Sequence, residues 1–124
     1  MIDDPPESDI FPLPNPFDMT QTAPPNVLPL EGEIDLHVSQ GISASLKALT
    51  DTKPPQLVVD LTRVSYIDSS GLAVLIEAMQ NVGAYGGKFA LAGLQEGVRP
   101  IFEIARLDQV FRIFPDVDAA LAKA

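Results

Sequence analysis

Between Val64 and Met79 the hydrophobic period of this chain changes, and that change constrains the fold more than any other feature. Tyr66 and Ile67 have the aromatic and β-branched character of a strand, whereas Leu72, Leu75, Ile76 and Met79 fall at the offsets of one helical face. The switch occurs at Asp68-Ser69-Ser70-Gly71. Asp and Ser begin helices well, because a short side-chain oxygen accepts a bond from one of the unpaired N–H groups of the first turn. The stretch therefore reads as a strand-to-helix corner that presents two hydroxyls. Free N–H groups and the positive end of a helix dipole favour an anion, so a phosphate on Ser69 or Ser70 could be held there without unfolding the domain. The plainer alternative is that Asp68 or Ser69 does no more than cap a helix.

The flanking sequence supplies the elements this corner needs. Val27–Ile34 reads as a short strand followed by a turn at Gly32, with Pro29 confining the strand to an edge or a bulge. After Asp35, an N-cap candidate, Val38, Ile42, Leu46 and Leu49 follow helical spacing, and the helix stops before Pro54-Pro55. Leu57–Leu61 is an apolar run of buried-strand length that leads through Val64 into the corner. Beyond the corner helix, Gly83, Gly86 and Gly87 mark a break before a strand at Lys88–Ala92. Val98, Ile101, Phe102 and Ala105 form another helical face, with Pro100 tolerated in its first turn. A strand at Val110–Phe114 and a short helix from about Asp116 through Leu121 complete the order. Alternating strands and helices call for an α/β domain with a largely parallel sheet.

Residues 1–26 hold seven prolines together with Asp3, Asp4, Glu7, Asp9 and Asp18, which predicts an extended, flexible tail ahead of a domain spanning 27–124. Ile10, Phe11, Leu13 and Phe17 could dock that tail on the domain. The 124 residues suffice for one core. The net charge of −9 is uneven, since residues 1–46 carry eight acids and no Lys or Arg, while residues 47–124 carry nine acids and eight bases. No basic stripe suited to nucleic-acid phosphates results. No apolar run reaches the length of a membrane span and the N-terminus does not read as a secretory signal, so a cytoplasmic location is expected.

Catalytic machinery is hard to assemble. His37 is the only histidine and there is no cysteine, which leaves neither a serine-hydrolase base with its orienting partner nor a nitrogen and sulfur metal site. Gly83, Gly86 and Gly87 precede a strand, unlike a phosphate-cradling loop. Glu33, Asp35, Asp60 and Asp68 could suggest a magnesium site, but two of them are ordinary turn or cap residues. No cofactor, no metal and no enzymatic activity are expected.

Taken together, Leu30-Glu-Gly-Glu-Ile-Asp35, Leu57–Leu61, Tyr66-Ile-Asp-Ser-Ser-Gly-Leu72, Gly87–Leu91 and Ile101–Leu107 leading into Val110–Phe114 resemble the STAS domain, in particular the bacterial anti-sigma factor antagonists. The resemblance implies a small mixed, largely parallel sheet of four to five strands with about four helices. It implies that Ser69 is the phosphate acceptor of a serine kinase that is also the anti-sigma factor, and that a serine phosphatase reverses the mark. The unphosphorylated protein would capture the kinase and free a sigma factor. Gly32, Glu33, Asp35, Asp68, Ser69, Ser70, Gly71 and Leu72 are the docking residues so implied. Members of the family usually begin with one more strand, whose place is taken here by the tail; the sheet edge could therefore be open and support a homodimer. A non-switching STAS-like subunit of a lipid-transport ATPase is the alternative, which would need no acceptor serine.

Overall fold

The structure of the chain, a computed structural model, describes residues 26–123. Four strands, β1 (Val27–Ile34), β2 (Gln56–Ile67), β3 (Lys88–Ala92) and β4 (Arg112–Phe114), lie in the order β1-β2-β3-β4 with every pair parallel. Helices α1 (Leu36–Asp51), α2 (Ser69–Ala84) and α3 (Arg99–Ile104) connect them, and α4 (Val117–Lys123) follows β4. The tail expected over residues 1–26, and any strand ahead of β1, lie outside the described residues except for Asn26.

Burial divides the sheet into two faces, as the period-two alternation of strands requires. Leu57, Val59 and Leu61 of β2 join Phe89 and Leu91 of β3 in one cluster with Leu46 of α1, Leu75, Ala78 and Val82 of α2, and Phe102 of α3. Val58, Ala90 and Ala92 point the other way and meet Ala120 of α4. Alanines on that second face let the short helix approach closely, and the Gln56 side chain fastens it by donating to the Ala120 and Leu121 carbonyls at 3.2 and 3.4 Å. Among the described residues two polar side chains are buried, and both are satisfied within α1: Ser39 Oγ donates to the Leu36 carbonyl and Thr50 Oγ1 to that of Lys47.

Several boundaries differ from the sequence reading, each for a local reason. The turn expected at Gly32 is an irregularity inside β1: register shifts flank Gly32, which takes φ +81°, and pairing with β2 resumes through Ile34. Pro29 is tolerated because β1 pairs with β2 alone among the described strands. β2 extends from Leu57–Leu61 to twelve residues because β1 accompanies it as far as Ile67. β4 shrinks to three residues, since Val110 and Phe111 donate their N–H groups to the Leu107 carbonyl in a 3-10 turn, Leu107–Gln109. Ala105 is the C-cap of α3 and is exposed, so the buried residues of this stretch are the N-cap Val98 and, within the helix, Phe102.

Phe102 is fully buried and meets the Phe111 ring edge-on at 5.9 Å between centroids. Phe102→Ala removes a core aromatic beneath a six-residue helix and is expected to destabilise the domain by about 3–5 kcal/mol. Urea unfolding of the two proteins at equal slope checks this; a loss below about 1 kcal/mol contradicts the packing described.

Candidate functional site

The site is built at the carboxyl ends of β1 and β2. In-register pairing sets Glu33 opposite Tyr66 and Ile34 opposite Ile67, and the Asp68 N–H donates to the Ile34 carbonyl at 3.0 Å. The chain leaves each strand through one aspartate and turns directly into a helix, so α1 and α2 start side by side. Asp35 and Asp68 are the two N-caps, both with extended backbone. Asp35 Oδ1 accepts the His37 N–H at 2.9 Å. Asp68 Oδ1 accepts the N–H groups of Ser70 at 2.9 Å and Gly71 at 3.2 Å, and the Ser70 hydroxyl at 2.5 Å. The Asp68 carbonyl accepts the N–H of Leu72 at 3.0 Å.

This concentration of donors holds the Asp68 carboxyl below its usual value of 3.8. The Ser70 hydroxyl is the largest cause; partial burial opposes it, and the N–H groups of Gly71, Ser70 and Leu36 add to it.

The two serines of the corner therefore have different surroundings. Ser70 is half-buried, with its hydroxyl turned onto Asp68. Ser69 is exposed, and its hydroxyl has no hydrogen-bond partner among the described residues. One expectation changes in consequence. Of the N–H groups at the mouth of α2, those of Ser70 and Gly71 already serve the Asp68 carboxylate and that of Leu72 its carbonyl. An anion at the mouth of α2 would have to displace Asp68 to use those of Ser70 and Gly71.

The remaining expected residues separate into surface and interior. Gly32, Glu33 and Ser69 are exposed, and Asp35, Asp68, Ser70 and Leu72 are half-exposed around the corner. Gly71 is buried, so it belongs to the core of the corner and not to a docking surface. A Cβ there would lie 2.7 Å from both Ile34 Cγ2 and Ile67 Cγ1. Glycine thus lets the first turn of α2 rest on the ends of both strands. Glu33, Asp35, Asp60 and Asp68 do not form a metal ligand set: Asp35 and Asp68 serve their caps, Asp60 accepts from the Thr62 N–H and hydroxyl, and no metal-binding group of His, Asp or Glu occurs among the described residues. His37 is an exposed residue of the first turn of α1. No helix among the described residues is long and apolar enough to cross a membrane.

Two surface residues escaped the sequence reading. Leu36 is 68% exposed and Tyr66 46% exposed, and both adjoin the corner, one after Asp35 and one opposite Glu33. Strict alternation out from Ile67, which is buried, would have placed Tyr66 on the outer face. Leu36 had no such signal, because only the helix axis decides which way the first residue after a cap points. A groove of about 630 Å³ opens alongside, between β1 and α1, lined by Leu28, Leu30, Ile34, Val38 and Ile42 with His37 at its rim.

Two measurements test this geometry. Gly71→Ala forces its methyl group against Ile34 and Ile67 and is expected to lower stability by about 1–3 kcal/mol, read by thermal or urea unfolding. Asp68 contributes stability in its ionised form, because its folded value is depressed. That contribution is complete above the ordinary carboxylate range and is lost as pH falls through the lowered folded value. The stability gap between the wild-type chain and Asp68→Ala is therefore expected to be widest near neutrality and to narrow in acid below 3.8; a gap independent of pH contradicts the assignment.

The family model of the STAS domain matches residues 17–120 of this chain. The anti-sigma-B factor antagonist of Listeria monocytogenes is 32% identical over 82 residues, which cover 66% of this chain and 72% of the relative. The anti-sigma-F factor antagonist RsfB of Mycobacterium tuberculosis is 30% identical over 95 residues, covering 77% of each chain. A crystal structure of an anti-sigma factor antagonist from Mycobacterium paratuberculosis superimposes with a TM-score of 0.72 at 29% identity, over 77% of this chain and 81% of that one. The parallel sheet, the paired helix starts and the Asp68-Ser69-Ser70-Gly71 corner thus have the family that their pattern resembles: the chain belongs to the STAS domain family.

Proposed function

We propose that this protein is an anti-sigma factor antagonist, a binding protein whose affinity for an anti-sigma factor is set by phosphorylation of Ser69. The observation that carries the reading is the placement of Ser69: an exposed hydroxyl, uncommitted among the described residues, at the junction of two helix starts. In the unphosphorylated state the partner docks over Ser69, with Glu33, Asp35 and Asp68 supplying charge and Leu36, Tyr66 and the neighbouring groove supplying apolar area. The names of the two curated relatives support the anti-sigma factor as the partner class. The partner is the kinase that marks Ser69, and a separate serine phosphatase removes the mark.

Phosphorylation adds a charge of about −1.5 to −2 to a surface that already holds three carboxylates. Since Asp68 takes the Ser70 and Gly71 N–H groups, the phosphate on exposed Ser69 stands toward the partner, where it must be desolvated against like charge. A loss of about 3 kcal/mol lowers affinity on the order of a hundredfold, enough to release the partner. The fold needs no rearrangement for this, because the mark is carried on the surface and the cap stays in place.

The test is titration calorimetry of Ser69→Asp and Ser69→Ala chains against the purified anti-sigma factor kinase from the same organism. Ser69→Ala is expected to bind as the unmodified chain does, and Ser69→Asp at least about tenfold more weakly. Equal binding by both variants refutes the switch, and failure of all forms to bind refutes the partner class.

A further inference from the structure

Resting on the reading of Ser69 as the acceptor, we propose that Asp68 is the specificity-determining residue of the corner: by holding the Ser70 hydroxyl it restricts phosphorylation to Ser69. Adjacent serines in one motif present a kinase with a choice that side-chain type cannot settle. Here the geometry settles it. Ser70 Oγ donates to Asp68 Oδ1 at 2.5 Å, the same oxygen that accepts the Ser70 and Gly71 N–H groups, whereas Ser69 stands exposed.

In the transfer the serine oxygen attacks the terminal phosphorus of a nucleoside triphosphate held by the kinase. The new O–P bond forms as the bond to the nucleoside diphosphate breaks, and the hydroxyl proton passes to a base of the kinase. Ser69 can present its oxygen in line with that bond. Ser70 must first give up a charge-assisted hydrogen bond to a carboxylate. Its depressed pKa makes that carboxylate a weak base, so the contact withholds the proton more than it activates the oxygen. The product is disfavoured as well, because a phosphate on Ser70 would bring a dianion to within hydrogen-bond distance of the Asp68 charge. Asn in place of Asp keeps a good N-cap and removes the charge, which separates the selecting role from the structural one.

The experiment maps phosphate on the tryptic peptide Val64–Lys88, by fragmentation mass spectrometry, of full-length chains recovered from the organism that encodes them. Ser69→Ala is expected to carry essentially no phosphate on Ser70, and the double variant Ser69→Ala, Asp68→Asn to carry at least tenfold more there. Phosphate on Ser70 of Ser69→Ala at a level like that of Ser69 in the wild-type chain overturns the proposal. So does an unmarked double variant when Asp68→Asn alone is still phosphorylated on Ser69. A kinase-independent arm follows the Asp68 carboxyl by NMR titration: Ser70→Ala is expected to raise its midpoint and Ser69→Ala to leave it in place, and equal effects overturn the proposal. Absence of phosphate from every form, the wild-type chain included, refutes the switch; the titration then decides by itself whether Asp68 holds Ser70.

Discussion

The Asp68 carboxylate is the contact on which the corner depends. It accepts two N–H groups and one hydroxyl at the start of α2, so it neutralises the positive end of that helix where α1 also begins. Without an anion there, the first N–H groups of α2 would lack partners at a turn that is half out of water. With it, the helix mouth already contains its negative charge.

That arrangement rests on the pairing of β1 with β2. Parallel strands deliver their connections to the same end of the sheet, which is why sites of α/β domains gather beyond the carboxyl ends of the strands. In this chain the pairing persists to Ile34 and Ile67, and the Asp68 N–H continues it by one more bond. Gly71 completes the junction by allowing α2 to rest on both isoleucines. The core beneath is ordinary apolar packing that includes both Ile34 and Ile67.

Much of this was legible along the chain because it follows from local rules. The helix over Leu36–Asp51, the corner at Asp68 and the strand Lys88–Ala92 stand where capping, proline and periodicity placed them. Less legible were features set by neighbours. Gly32 reads as a turn in isolation, but with β2 alongside, the strand passes through it. Val110 and Phe111 have strand character, yet the carbonyl of Leu107 takes their N–H groups first. Leu36 gives no sign of being exposed, since that depends on how α1 lies on the sheet.

By itself the sequence determined the order of elements, the helix caps and the presence of two hydroxyls at one corner, because hydrogen-bond capping and apolar spacing act over a few residues. It did not determine which hydroxyl is available or how closely the helix rests on the strand ends. Those were decided by the tertiary structure, which turns Ser70 onto Asp68, leaves Ser69 facing outward and seats Gly71 against Ile34 and Ile67. The physical reason is that a donor given to one acceptor is lost to others: once the carboxylate has taken the Ser70 hydroxyl and the Ser70 and Gly71 N–H groups, only three-dimensional placement says which hydroxyl remains free.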